Sequence, residues 1–203
     1  MVNEGKNTEE IIFKAALTVF QKKGLAGARM QEIADTAGIN KSMLHYYYRS
    51  KELLFKQVFL LSFKQFLGGI IPILNNDQNV WEDKIPLIID HYVSALKKNP
   101  DLPLFVLTEL RDNPDQYLNI MKENGVKQTV FLRQLVEACQ ARQIRPVSPS
   151  QIFVTVVSGI IFPFLAQPLI KHLWNLDGNE WDIFIENRKL IIKEMVLKYL
   201  KEF

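Results

Sequence analysis

The 203-residue chain is predicted to be all-α, a three-helix head followed by a larger helical body, with about nine helices in all. Three observations predict this. Apolar residues recur at helical spacing from end to end, the strict alternation expected of strands is almost absent, and pairs of Asn, Gly and Pro interrupt the helical period at intervals. A composition of 48% hydrophobic and 23% charged residues is that of an ordinary soluble globular protein, long enough to bury a substantial core.

The first helix is expected over about Thr8 to Lys23. Asn7 or Thr8 would cap it, Glu9 and Glu10 would complement the helix dipole in its first turn, and Gly24 would stop it. Ile12, Ala15, Ala16, Val19 and Phe20 form its apolar stripe. Two short helices follow, about Met30 to Ala37 and Lys41 to Tyr47, separated by Gly38-Ile39 and with Asn40 capping the second. Ser50 caps a fourth, which carries Leu53, Leu54, Val58, Leu61 and Phe66 and is expected to end at Gly68-Gly69. The Gly-, Pro- and Asn-rich run 68–79 reads as a junction, so residues 6–67 form one expected domain and 68–203 another. Body helices are expected near Trp81–Lys98, Leu102–Asp112, Pro114–Asn124, Val126–Arg142, Pro149–Asn175 and Glu180–Lys201, with Ser148-Pro149 a cap followed by a first-turn proline.

Charge is unevenly distributed. Residues 1–67 hold ten Lys and Arg against six acids, a net of +4, whereas the whole chain carries only +3. A basic head on a neutral body suits a module that meets a polyanion at one end. Cys139 is the only cysteine, so no intramolecular disulfide and no ordinary structural zinc site is expected, and His45, His91 and His172 lack ligand-like spacing. The polar start of the chain reads as no signal peptide, so a cytoplasmic protein is expected. Val147 to Ile170 carries no charge and is long enough to cross a bilayer. Its prolines (Pro149, Pro163, Pro168) and polar residues favour instead a helix buried within protein, in a core or a subunit interface. No Gly-rich phosphate loop, nucleophile elbow or paired metal-ligand motif is present, so neither enzymatic activity nor a cofactor is expected.

The informative run is residues 30–51, MQEIADTAGINKSMLHYYYRSK. Ile33, Ala34 and Ala37 make one apolar face, Gly38 permits a tight turn that other residues adopt only at a cost, and Leu44 returns to the same small core, which is the pattern of a helix-turn-helix. If the second helix enters a major groove, Asn40, Lys41, Ser42, Met43, His45 and Tyr46 are its exposed residues. Lys41 can reach a phosphate or a guanine edge, Ser42 lets the helix seat deeply, and Met43 can pack on a thymine methyl. His45, Tyr46 and Tyr47 offer groups for the groove wall, and Ser50 with Lys51 offers free amides and an ammonium to a phosphate.

Together, Gly24, Ile33-Ala34, Ala37-Gly38-Ile39, Leu44, Tyr47-Tyr48 and Lys51-Glu52-x-Leu54 resemble the TetR family of bacterial regulators, over about residues 8–66. The resemblance implies a DNA-binding head, a fourth helix leading to a ligand-sensing body, and a homodimer formed by the last two long helices. It also implies a repressor that leaves its near-palindromic operator when a small molecule enters the body. Of the two tyrosines it implies that Tyr48 packs and Tyr47 faces phosphate. Arg29 departs from the family's Thr or Ser cap and can instead touch a phosphate; Ser42 and His45 stand where the family has a small residue and an aromatic.

In the body, large aromatics including Trp81, Tyr92, Phe105, Tyr117, Phe131, Phe153, Phe162, Phe164 and Trp174 supply a core. Expected pocket residues are Phe105 and Phe131, with His91, Thr108, Gln128 and Thr155 as polar anchors. The segment 149–175, uncharged as far as Ile170, and the closing segment 180–201, with Trp181, Phe184, Leu190, Ile191, Met195 and Leu197 or Leu200, are the expected dimer surface. The contrasting reading is a helical protein-interaction module without specific DNA binding.

Overall fold

The computed structural model describes residues 2–123 and 125–202, without the side chains of residues 2–6, 116 and 117. Asn124, expected in a helix terminus, and the Tyr117 side chain, expected in the body core, lie outside the described residues. Eleven α-helices and one 3₁₀ turn make up the described chain: α1 Val2–Gly27, α2 Met30–Ala37, α3 Lys41–Tyr47, α4 Lys51–Asn75, α5 Trp81–Lys98, α6 Leu102–Asp112, α7 Pro114–Glu123, the 3₁₀ turn Val126–Gln128, α8 Val130–Gln140, α9 Pro149–Leu165, α10 Gln167–Trp174 and α11 Asn179–Lys201. They divide into two compact units, the first formed by the chain up to Phe66 with Leu104–Glu109, the second by Leu67–Pro103 with the chain from Leu110 onward.

In the first unit Ile12, Ala16 and Phe20 of α1, Ile33 and Ala34 of α2, Leu44 of α3 and Leu54 of α4 are fully buried, as the stripes in the sequence require. Phe20 meets Phe55 edge-on at 5.0 Å, and Phe105 of α6 packs on both Phe55 and Phe59 at 5.3 Å. Of the apolar residues named for the fourth helix, Leu53 and Leu61 are exposed, because the buried face of α4 runs through Leu54, Phe55, Val58 and Phe59. Gly24 does break α1, with φ 64° and ψ 179°, but one further turn to Gly27 follows it.

Three expected boundaries are corrected. Helix α4 does not stop at Gly68-Gly69; it continues through both glycines and Pro72 to Asn75. Leu67 and Ile70 are buried there, and the His91 ring lies so close that a Cβ on Gly69 would collide with it. Tertiary packing thus outweighs a helix propensity that costs about 1 kcal/mol at each glycine. The expected helix 126–142 is split at Thr129, whose backbone is extended and buried, and the first amide of α8, that of Val130, is bonded instead by Asn75 Oδ1 at 3.2 Å. The expected helix 149–175 is split at Ala166, where α9 and α10 diverge by 72°. Pro168 explains the break, since it offers no amide to the carbonyl of Phe164 and its ring crowds that turn. By length and composition α4, and α9 with α10 if taken as one span, are long and apolar enough to cross a membrane.

The second unit packs α5 and α9 against α11 and sets α8 beside them. Gly159 brings α9 close to α11: a Cβ there would stand 3.3 Å from Ile192, and the Gly159 carbonyl accepts from Arg188 Nε at 3.0 Å. Lys84, the one charged side chain among the fully buried described residues, donates to Gln134 Oε1 at 2.9 Å and to the Leu74 carbonyl at 3.5 Å, while Gln134 Nε2 donates to the Asn79 carbonyl at 3.0 Å. Burial, then the Arg133 cation, holds its ammonium below the ordinary lysine range. This polar knot fastens the end of α4 and the turn after it to α5 and α8. α9 buries Ile152, Val156, Ile160 and Phe164 but leaves Phe153, Val154 and Phe162 exposed; α11 buries Trp181, Ile185, Ile192, Val196 and Leu200 but leaves Ile183, Leu190, Ile191 and Met195 exposed. The uncharged segment is therefore only half-covered by its own chain, and the α11 stripe expected through Leu190, Ile191 and Met195 lies on the uncovered side.

Two stability predictions follow from this packing. Gly68→Ala, whose Cβ meets nothing within 4 Å, should raise stability by about 0.5–1 kcal/mol, whereas Gly69→Ala should lower it by about 1–3 kcal/mol and regain most of that loss in the Gly69→Ala/His91→Ala double variant, read by urea titration. Gln134→Leu leaves the Lys84 ammonium without its side-chain acceptor and should cost about 2–3 kcal/mol in the same titration; a neutral result would mean that water takes the vacated place.

Candidate nucleic-acid interface

The geometry of the head begins at the turn between α2 and α3. Gly38 adopts φ 66° and ψ 28°, its amide donates to Asp35 O at 3.2 Å, and the next amide, that of Ile39, reaches back to Ala34 O at 3.0 Å. This is a Schellman closure, which needs a left-handed residue where glycine is least strained. Asn40 then caps α3, accepting the Met43 amide on Oδ1 at 2.7 Å. In a seven-residue helix that bond and the single buried anchor Leu44 fix the rotation, so Lys41, Ser42, Met43, His45 and Tyr46 all point outward. Tyr46 is 83% exposed. Its ring meets that of Tyr47 edge-on at 5.5 Å, which props it upright beside the half-buried Tyr47.

Tyr48 ends α3 in an extended conformation and is half-buried; burial first, and the Glu9 carboxylate second, push its phenol above the ordinary tyrosine range. That environment suits packing rather than contact with an anion. Arg29 occupies the N-cap position of α2 without a side-chain cap bond, as the sequence expectation anticipated, and is exposed on the rim of an open groove of about 400 Å³ shared with Lys23, Gly27, Gln31, Glu32 and Asp35. Lys23 pairs with Glu32 at 2.7 Å and so pins α1 to the first turn of α2. The residues expected on the DNA side, Arg29 and residues 40–47, thus belong to two adjoining helices of one unit, and Lys41 has no ion pair among the described residues.

Lys51 departs from simple expectation. Its ammonium donates to the Ala28 carbonyl at 3.1 Å and the Ala26 carbonyl at 3.5 Å, tying the start of α4 to the end of α1. A single sequence carries no signal for partners 23 and 25 residues apart, and the same holds for Lys23 with Glu32. Ser50 caps α4 as expected, accepting the Leu53 amide at 3.1 Å.

The expected pocket residues are dispersed. Phe105 and Thr108 belong to the first unit, where Phe105 is buried against Phe55 and Phe59 and Thr108 is exposed. In the second, His91 lies half-buried against α4 and Phe131 is buried on α8, while Gln128 and Thr155 are exposed. Among the described residues no group of three His, Cys, Asp or Glu side chains is placed to hold a metal ion.

Comparison with known proteins bears on the same region. Residues 12–58, which span α1 beyond its first turns, α2, α3 and the start of α4, match the family described as bacterial regulatory proteins, tetR family. The HTH-type transcriptional repressor NicS of Pseudomonas putida is 30% identical over 147 residues, covering 68% of this chain and 66% of that repressor, just under two thirds of its length. The probable HTH-type transcriptional regulator YttP of Bacillus subtilis is 20% identical over 93% of this chain and 94% of its own. Among solved structures, that of HlyIIR, a hemolysin II transcriptional regulator, superposes with a TM-score of 0.64 over 98% of this chain and 99% of its own at 20% identity, a likeness of fold. A head of this geometry carries, over residues 12–58, the match to the tetR family of bacterial regulatory proteins, and the chain shares the fold of HlyIIR.

Proposed function

We propose that this protein is a transcriptional regulator that binds a near-palindromic operator as a homodimer and releases it when a small molecule occupies the body. The observation that carries the DNA-binding reading is α3, a seven-residue helix that buries Leu44 alone and turns a cation, a hydroxyl, a thioether, an imidazole and a phenol to solvent. In the groove, Lys41 meets a phosphate or guanine edge, Ser42 admits close approach, and Met43 packs on a thymine methyl. His45, Tyr46 and Tyr47 line the groove wall, and Arg29 reaches a phosphate from the start of α2. Lys51 serves twice, holding the end of α1 through two carbonyls and lending its charge to the phosphate beside it. A protein that binds an operator works in the cytoplasm, where the DNA is.

Dimerisation uses the apolar sides of α9 and α11 that the single chain leaves in water, among them Phe153, Phe162, Ile191 and Met195. A soluble monomer rarely carries so large a patch, and a two-fold pairing of these helices would cover it in both copies at once. Two copies of α3 about 34–36 Å apart can then read successive major grooves. An effector acts through its preference for one conformation of the body, so its binding and operator binding oppose one another reciprocally.

Selection from a randomised duplex library, read by fluorescence anisotropy at two salt concentrations, tests the reading. A near-palindromic site should emerge whose affinity falls steeply with salt; Lys41→Ala/Tyr46→Ala should bind it at least about 10-fold more weakly. Failure to enrich any site, or equal binding by both proteins, would sink it. Lys51→Ala should do two things at once, lowering the melting temperature through the lost α1 contact and reducing the salt slope by about one; Ile191→Glu/Met195→Glu should abolish cooperative binding to the full site in gel-shift titration while a half-site is still bound weakly.

A further inference from the structure

Around the start of α8 the second unit gathers donors that no carboxylate among the described residues bonds. Lys84 is fully buried, yet both of its acceptors, Gln134 Oε1 at 2.9 Å and the Leu74 carbonyl at 3.5 Å, are neutral. An ammonium carries three donors, and burying one is costly unless it is paired. Of the charges that act on it, Arg133 opposes it and is itself paired with Glu137 at 3.8 Å, while Asp77 in the turn after α4 favours it. Thr129 is 1% exposed and its hydroxyl has no hydrogen-bond partner, although it stands at the N-cap position of α8, where a threonine ordinarily accepts a first-turn amide. The first-turn amides of this eleven-residue helix have no acceptor within it. One of them, that of Val130, is taken by Asn75 Oδ1 at 3.2 Å, from the last residue of α4. Asn75 is exposed and Gln134 half-buried, so the corner lies one side chain below the surface. Two neutral oxygens thus stand where an oxyanion's would: Asn75 Oδ1 on a helix N-terminus and Gln134 Oε1 on a buried ammonium.

We propose that this corner is an oxyanion site, in which the carboxylate or phosphate group of a small effector bonds the Lys84 ammonium, the Thr129 hydroxyl and the first amides of α8 in place of Asn75 and Gln134. The proposal rests on the effector reading above for its consequence at the operator, and it names the effector's chemical class. Adjacent residues of α4, Leu74 and Asn75, touch Lys84 and Val130, which brings the ammonium and the helix N-terminus to one place. A charge-assisted bond is roughly twice as strong as the neutral one it replaces, the anion supplies the counter-charge that the buried ammonium lacks, and the positive end of the α8 dipole adds to both. The exchange has a mechanical result. Asn75 is the end of α4, and Gln134 also holds the Asn79 carbonyl, so an anion that takes their places frees the last turn of α4 and the turn after it. The same continuous helix begins at Lys51, which is tied to the end of α1.

Calorimetric titration with sodium acetate and with inorganic phosphate, chloride being exchanged to hold the ionic strength constant, should show saturable binding of at least one of them, and which one identifies the group the site takes. Asn75→Ala, at an exposed position, removes the competing oxygen and should tighten that binding at least about 3-fold, a gain that a structural role for Asn75 would not produce. Asn75→Asp tethers a carboxylate at the same amide; it should raise the melting temperature and abolish binding. Thr129→Val keeps the side-chain shape without the hydroxyl, and should weaken binding at least about 3-fold with no loss of stability. Hydrogen exchange in the presence of the anion should quicken in the last turn of α4 and slow in the first turn of α8. Binding of neither anion, or binding that Asn75→Ala and Thr129→Val leave unchanged, would overturn the site. Affinity for the selected duplex should fall over the same anion range in the wild type and not in Asn75→Asp. Saturable binding with unaltered operator affinity would overturn the effector's role at this corner while the operator reading stands; saturable binding by a protein that selects no duplex would sink the operator reading and leave the oxyanion site.

Discussion

The head depends on one backbone constraint, the left-handed residue at position 38. Between α2 and α3 the chain must reverse within three residues while the amides of Gly38 and Ile39 find carbonyls, and the Schellman closure onto Asp35 and Ala34 meets both needs only if residue 38 takes a positive φ. From that turn the remainder is determined in steps. Asn40 is delivered to the cap position and Leu44 to the core formed by Ile12, Ala16, Phe20, Ile33 and Ala34. The rotation of α3 is then no longer free, and every residue of α3 other than Leu44 and the half-buried Tyr47 faces out. Chemistry at the surface of α3 is therefore a consequence of packing beneath it.

The same economy governs the supports around the head. Lys23 with Glu32 and Lys51 with the last carbonyls of α1 are surface or half-buried contacts, each worth little singly, that connect α1 to its neighbours from two sides. They tie α1 to α2 and to the start of α4 within the head. In the second unit the comparable device is buried: a lysine ammonium held by a glutamine and a carbonyl, with the same glutamine holding the turn at Asn79. Its neutral partners leave the ammonium less stable than in water, so the knot links α4, α5 and α8 without a gain in charge stabilisation.

The helices of the body show a division between what a chain can cover by itself and what it leaves for another surface. α5 and α8 bury most of their apolar residues, leaving Leu87 and Val136 exposed, whereas α9 and α11 each bury one stripe and expose a second, and α10 buries Ile170 alone. An apolar segment with no charge from Val147 to Ile170 would suggest complete burial, yet about half of its residues lie exposed in the chain by itself.

Much of this was legible in the residues alone. α2, α3, α5 and α6 begin and end where caps, glycines and prolines place them, because those signals act over three or four residues and are complete within the local sequence. The outward set on α3 was legible for the same reason, since one buried leucine and a helical period suffice. Tertiary structure decided the rest. It carried α4 through Gly68, Gly69 and Pro72, where burial of Leu67 and Ile70 and the close approach of His91 outweigh weak local propensity. It buried Phe55 and Phe59 and left Leu53 and Leu61 exposed, gave Lys84 and Lys51 their partners, and placed Phe105 with Phe55 and Phe59. Each of these choices depends on atoms brought together from positions 10 to 50 residues apart, and such encounters leave no periodic trace in the order of the amino acids.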